Sequence, residues 1–274
     1  MSSSLNKTIR AAMLGAEYII TPKLNMFLMQ NPNLVVDDWV ADKIREQITK
    51  QPRVRSGSFS SSAAGMCHRR QVLAFLNIQP EGVNSPQLQN IFYDGTWRHL
   101  RWQAVLLQAG LLTDIEFALH WEAMRSVGTM DGVGVVPDDH PNFMWRGCEY
   151  GFELKGINTY GFKKAVNEGV KDDHLAQVHR YFLSGGFDLF VIIYEDKNTQ
   201  EWIEWVVTPQ DALMAAQREE LRLLNEAVDT KTLPLMRPEC ASKTGDIWVK
   251  GWCPYAGDHG ICESTTEWPG QGDD

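Results

Sequence analysis

Apolar positions change their spacing along this chain of 274 residues. They recur at helical intervals before residue 110, alternate between residues 114 and 157, and then switch between the two periods up to residue 228. The first clear helix spans 36–50, with Asp37 and Asp38 in its first turn, where negative charge suits the helix dipole. Ser61 or Ser62 is placed to cap a second helix running to about Phe75. A longer helix covers residues 86–108, with Pro86 near its start and Gly110 past its end. Strand signals follow over 114–123, 127–136 and 143–157, and 137–142 forms a strong turn. In the third strand Met144, Cys148, Tyr150, Phe152 and Leu154 share one parity, a core face. Glu149, Gly151, Glu153 and Lys155 share the other, a polar face. Helical patterns resume over 161–167 and 172–184, strands over 188–194 and 201–208, and Pro209 opens an amphipathic helix to about Val228. Residues 1–34 show no assignable period, and neither do residues 234–274, which are rich in Pro, Gly and Trp.

This order predicts an α/β (α+β) fold, a mixed central sheet flanked by helices. Residues 1–110 form an N-terminal helical lobe, 111–232 the core, and 233–274 a tail that needs another source of order. At 43% hydrophobic and 22% charged the composition is that of an ordinary globular protein. No apolar run is long enough to cross a bilayer. The N-terminus lacks the apolar segment of a secretory signal, so the expected location is cytoplasmic.

A net charge of -9 argues at first against a nucleic-acid partner, but its distribution does not. Residues 1–110 carry 12 Lys/Arg against 7 Asp/Glu; the rest carry 14 against 28. The basic excess lies between Lys43 and Arg70, and Arg53, Arg55, Arg69 and Arg70 are its candidate phosphate contacts.

The candidate chemistry begins with Asp131, in Gly128-Thr-Met-Asp-Gly, and with Glu153-Leu154-Lys155. Two carboxylates on adjacent strands can hold Mg2+ or Mn2+ against a phosphodiester. Lys155, on the face of Glu153, could orient the attacking water or neutralise developing charge. Chance alone supplies about one Glu-x-Lys triplet in a chain this long, so context decides. The second triplet, Glu195-Asp196-Lys197, falls in a hairpin turn and reads as a solvated charge cluster. His99, in the helix before the strands, is a suitable Mn2+ ligand. Gln177 and Tyr181, at i and i+4, share one helix face and could hold a scissile phosphate or fix Lys155. His174 and His179 on the same helix read as surface residues.

Five cysteines without an export signal argue against a disulfide framework. Cys67 begins a helix; Cys240, Cys253 and Cys262 lie in the aperiodic tail. One centre on these four would pin the tail to the N-terminal lobe. Iron–sulfur clusters and zinc both use four thiolates, and the lack of any Cys-x-x-Cys spacing disfavours a zinc ribbon. Cys148 has core parity.

Taken in order, Cys67, Gly95-x-x-x-His99, Gly128-x-x-Asp131, Glu153-x-Lys155, Gln177-x-x-x-Tyr181 and three late cysteines resemble the PD-(D/E)XK nuclease superfamily. Within it, the arrangement is similar to the RecB-like branch, the CRISPR-associated iron–sulfur exonucleases and their phage-encoded relatives. The resemblance covers about residues 62–265. It implies a restriction-endonuclease-like sheet and a 4Fe–4S cluster on Cys67, Cys240, Cys253 and Cys262. It implies Mg2+ or Mn2+ held by His99, Asp131, Glu153 and Leu154, with Lys155 catalytic and Gln177 and Tyr181 in support. The implied activity is exonuclease action on single-stranded DNA ends. The last three cysteines are spread more widely than is usual in the family, which keeps zinc as an alternative occupant. DNA is the expected partner, with a second copy of the chain or recombination proteins as further candidates. A different class stays open: a nuclease-fold DNA-binding or assembly factor in recombination or fragment capture, with little cleavage.

Overall fold

The computed structural model describes residues 17–50, 57–79 and 85–237, together with Cys253, Tyr255, Cys262 and Trp268. Two helices come first, α1 (Thr21–Gln30) and α2 (Asp38–Thr49). A two-residue strand β1 (Phe59–Ser60) leads through a single 3-10 turn (Ser61–Ala63) to α3 (His68–Phe75). The long helix α4 (Pro86–Gln108) precedes β2 (Asp114–Trp121), β3 (Ser126–Val135) and β4 (Glu149–Ile157). Then come α5 (Thr159–Glu168), α6 (Asp172–Gly185), the hairpin β5 (Leu189–Asp196) and β6 (Trp202–Val207), and α7 (Asp211–Asp229).

The strands form one mixed sheet in the order β1-β3-β4-β5-β6, with β2 also on β3. β4 and β5 run parallel, so the chain crosses between them through α5 and α6. β5 is buried along its whole length, as its unbroken apolar run Leu189–Tyr194 requires of a strand covered on both faces. On one face Phe152, Leu154, Val191 and Ile193 meet Trp102, Leu106 and Leu107 of α4 and Ile19, Ile20 and Leu24 around α1. On the other, Phe190, Ile192 and Tyr194 meet Phe162 of α5 and Val178, Tyr181 and Phe182 of α6. Residues before 110 are therefore part of the sheet's own packing: they supply β1 and most of one covering layer.

A strand has two hydrogen-bonding edges, and those of β3 are used unequally. β2 follows one edge from Ser126 to Val133. The other edge is shared: β1 takes Ser126 and Val127, and β4 takes Gly132 to Val135. Between them, Gly128–Asp131 have no strand beside them on that edge among the described residues.

Four expectations need correction. Gly65, at φ +73°, breaks the helix expected from Ser61 to Phe75, and α3 starts only at His68, with Cys67 as its N-cap. The third strand starts at Glu149, not at 143; Met144, ahead of it, is 69% exposed and Cys148 is half-buried at the core margin. The unassigned N-terminal stretch holds α1, whose start is fixed from afar: the buried Glu204 carboxylate accepts from the amides of Ile19, Ile20 and Thr21 at 2.6–3.2 Å. The Glu195 triplet is not solvated. Glu195 is 1% exposed and binds Arg98 at 2.8 Å, Trp102 Nε1 at 3.0 Å and Arg101, which anchors α4 to the end of β5.

Candidate active site

The gap in the sheet is closed by side chains. Asp131, at its end, turns its carboxylate to β4, where Oδ2 accepts from the Leu154 amide at 2.6 Å. His99 reaches Oδ1 from α4, with Nδ1 at 2.9 Å. In the tautomer whose Nδ1 hydrogen faces Oδ1, the lone pair of the neutral ring sits on Nε2. Leu154 contributes its amide to Asp131 and its side chain to the core, so only its carbonyl is left for a cation. At the gap's other end, Tyr181 of α6 donates to the Thr129 carbonyl at 2.9 Å. Its ring passes so near Gly128 that a Cβ there would lie 2.5 Å from it. The glycine of Gly-x-x-Asp is thus the room that Gln-x-x-x-Tyr needs.

Glu153, next to Leu154, faces α6. Its Oε1 accepts from Lys155 Nζ at 2.8 Å and from Gln177 Nε2 at 2.9 Å. Gln177 Oε1 accepts in turn from Lys155 at 2.9 Å, and its Nε2 also donates to Tyr181 Oη at 2.8 Å. Lys155, Glu153, Gln177, Tyr181 and the Thr129 carbonyl form one continuous chain of hydrogen bonds. All four side chains are largely removed from water: Glu153, Gln177 and Tyr181 are buried outright, and Lys155 partly so. The face predicted to be polar is polar, but it lies under a helix rather than in solvent.

Burial is the dominant force on the charges. It pushes the Glu153 carboxyl up to about 7, with the neighbouring Asp131 charge adding to the rise and Lys155 opposing it. For Lys155 burial works against the cation, but contact with Glu153 more than offsets this and its pKa lies above the usual value. Burial likewise disfavours the His99 cation, and the Asp131 carboxylate outweighs it, so His99 is raised. The residues predicted from far-apart motifs thus act on one another: His99, Asp131, Glu153, Lys155, Gln177 and Tyr181 share one site.

Among the described residues no three His, Cys, Asp or Glu side chains close on a single point that would hold an ion. Asp131 and His99 bind each other instead, and Lys155 takes one oxygen of Glu153. The donor set still suits a hard cation, because the buried Glu153 Oε2 has no hydrogen-bond partner. An anionic oxygen kept from water without a partner is costly, and a divalent cation is what relieves it. His99, Asp131 and Glu153 are the side chains that would hold such an ion.

One acidic residue escaped sequence reasoning. Glu116 stands across β2 at the position facing Asp131, with φ +51°, unusual for a side-chain-bearing residue inside a strand. The buried Gln103 amide ties its Oε1 (2.9 Å) to the Asp131 carbonyl (2.8 Å). Burial raises the Glu116 carboxyl, and the Asp131 charge raises it further. The alternating pattern of β2 held no signal for it, because the left-handed residue lies inside the strand.

His174 and His179 are corrections too. His179 is fully buried; Nδ1 donates to the Leu175 carbonyl at 2.7 Å, and Nε2 accepts from the Gln210 amide at 3.2 Å. His174 is half-buried against Tyr194.

Three of the four cysteines expected to act together lie among the described residues. Cys67 caps α3, and the buried Cys262 packs with Leu73, Tyr255 and Cys253. Burial raises the Cys262 thiol; Arg69 opposes the rise, and Cys67 and Cys253 each add to it, which places the three sulfurs within electrostatic reach of one another. Thiolates are the donors that a cluster or a zinc ion takes, although among the described residues no three of them close on a single point. Cys240 lies outside the described residues, as do Arg53 and Arg55. Arg69, expected to meet phosphate, is 7% exposed and donates to the carbonyls of Pro234 (2.9 Å) and Cys262 (3.1 Å). It fastens the tail, and its burial removes it from any DNA-facing surface. Arg70 is half-buried.

No known protein family matches the chain by sequence, and no curated protein does. Among solved structures, the fold is similar to an alkaline exonuclease (LHK-Exo) from Laribacter hongkongensis, at 13% identity over 70% of this chain and 92% of that one, TM-score 0.41. It is also similar to LHK-Exo in complex with dAMP, at 14% identity over 64% and 90%, TM-score 0.46. These likenesses are shallow, and what the chain does has to be read from its site. No helix among the described residues is long and apolar enough to cross a membrane.

Proposed function

We propose that this chain is a metal-dependent deoxyribonuclease of the PD-(D/E)XK type, RecB-like, hydrolysing phosphodiesters at DNA ends. The observation that carries this reading is the buried Glu153, with one oxygen held by Lys155 and the other unpartnered, beside an Asp131 fixed to the next main-chain amide. When bound there, Mg2+ or Mn2+ supplies a polarised water and charge relief on the phosphate. The chain's own groups do the rest. Asp131 is held rigid by His99 and the Leu154 amide, and a carboxylate so bonded keeps lone pairs for an ion. Lys155, kept protonated by Glu153 and aligned by Gln177, offers a positive charge to a phosphate oxygen. Preference for single-stranded ends is supported by Phe92, Tyr93 and Trp97, each more than half exposed on the helix that carries His99, because unpaired bases stack on such rings. A 4Fe–4S cluster on Cys67, Cys240, Cys253 and Cys262 would have a structural part, since hydrolysis transfers no electrons.

The test is incubation of freshly purified protein with end-labelled single- and double-stranded DNA, with and without Mn2+. Metal-dependent loss of label from single strands supports the reading. Tight DNA binding without cleavage in the presence of Mn2+ would replace it with a DNA-capturing assembly factor.

A further inference from the structure

His174 stands one turn before Gln177 on α6. In the β4/β5 register Lys155 pairs with Tyr194, so their side chains share a face at one level of the sheet. His174, in the first turn of α6 and three residues before Gln177, meets Tyr194 there: Nδ1 is 2.7 Å from the phenol oxygen. The same oxygen accepts from the Lys171 amide at 3.2 Å. That amide can only donate, so the phenol is free to give its own proton to Nδ1. The neutral ring then carries its hydrogen on Nε2. Nε2 makes no hydrogen bond with the described residues; Asp173 Oδ1 stands 3.9 Å from it, beyond bonding length. His174 and Lys155 feel each other's charge, and the side chain retains 15% of its exposure. In that tautomer the ring is held by Tyr194 and presents an uncharged outer donor on a side chain that solvent still reaches.

We infer that His174 is a substrate-contacting residue whose Nε2–H donates to a phosphate oxygen of the nucleic-acid strand next to Lys155. This rests on the nuclease reading above. Tyr194 is the positioning residue that sets the ring's tautomer and angle. The contact adds no charge to the site, so it orients the backbone without competing with a cation for it.

Two substitutions separate substrate contact from packing. The amide of Asn extends as far as Nδ1, and that of Gln as far as Nε2. His174→Asn keeps a partner for Tyr194 and loses the outer donor; His174→Gln keeps the outer donor and loses the Tyr194 contact. With a single-stranded oligonucleotide and Mn2+, His174→Asn should lower kcat/KM by about 10- to 100-fold, the worth of one hydrogen bond to a charged group. His174→Gln should keep at least about a third of wild-type kcat/KM, and both variants should melt as cooperatively as wild type. Wild-type activity in His174→Asn, or equal losses in both variants, would overturn the assignment and leave the nuclease reading standing. If wild type does not cut the oligonucleotide at all, both fall.

Discussion

Tyr181 donates its phenolic proton to the carbonyl of Thr129, 2.9 Å away, where one edge of β3 has no strand beside it among the described residues. A ring from α6 thus stands in for a missing strand, and its oxygen also receives the Gln177 amide that steadies Glu153. Tyr181→Phe removes both bonds and leaves buried groups unsatisfied, so it should cost about 1–3 kcal/mol in urea unfolding. Gly128→Ala forces a methyl to within 2.5 Å of the ring and should cost a similar amount, about 1–3 kcal/mol. Both should also slow cleavage, since Gln177 loses its brace in either case. A Gly128→Ala protein with unchanged midpoint and activity would show that the close approach is not needed.

Asp131 binds the Leu154 amide and His99, so its loss disconnects β3 from β4 at the site and frees His99. Asp131→Ala should reduce cleavage on the order of a thousandfold, as losses of central catalytic groups do. DNA affinity should survive, because the exposed Phe92, Tyr93 and Trp97 of α4 are untouched. Gel-shift and cleavage assays on the same preparation check this. Parallel loss of binding and cleavage would assign Asp131 to DNA capture instead.

His174 provides a pH prediction. Burial, then the Lys155 charge, holds its pKa down to about 4 from 6.5, with Lys171 acting the same way, Asp173 opposing, and the uncharged Tyr194 phenol against Nδ1. A base with a depressed folded pKa binds fewer protons folded than unfolded. Stability is therefore complete above about pH 6.5 and is lost as pH falls towards 4, by at most about 3 kcal/mol. The buried His179, also lowered, adds a slope of the same sign. Urea midpoints from pH 7.5 to 4.5 should fall, and His174→Asn should flatten that fall. An unchanged slope in the variant would place the acid sensitivity elsewhere.

Much of this was legible because the decisive spacings are local. The parity that puts Glu153 and Lys155 on one face, and the helical interval that puts Gln177 and Tyr181 on another, survive folding because strands and helices keep their periods. The bounds of α4 were readable from Pro86 near its start and Gly110 past its end; the Ser85 hydroxyl, which accepts from the Leu88 amide, completes the cap. What failed depended on partners far away in sequence. Near residue 21 only Pro22, in the first turn, hints at α1; the carboxylate that caps it sits far away at Glu204. Glu195 looks like a turn charge until α4 brings Arg98, Arg101 and Trp102 to it. His174 and His179 look like surface residues until β5 and the start of α7 close over them. Glu116 needed the register of β2 against β3, which the pattern alone does not supply.

The cysteines lead to a prediction that separates structure from chemistry. Cys67 lies at the head of α3, while Cys253 and Cys262 come from the tail, and Arg69 binds that tail through its carbonyls. A cofactor on these thiolates would join the head of α3 to the tail, where Tyr255 already donates to the Ile78 carbonyl at 3.1 Å and Cys262 packs on Leu73. Protein purified without oxygen should be brown, with about four irons per chain for a 4Fe–4S centre. Cys67→Ser should lose the iron, whereas Cys148→Ser should keep it, because Cys148 sits apart with its thiol donating to the Met144 carbonyl at 3.6 Å. Removing the cofactor should expose the tail to protease before the core. Cleavage by Asp131 and Glu153 should then decline only as fast as the fold does, since neither residue touches the thiols. A colourless wild type carrying one zinc would make the same four residues a zinc staple and leave the acidic site as it stands.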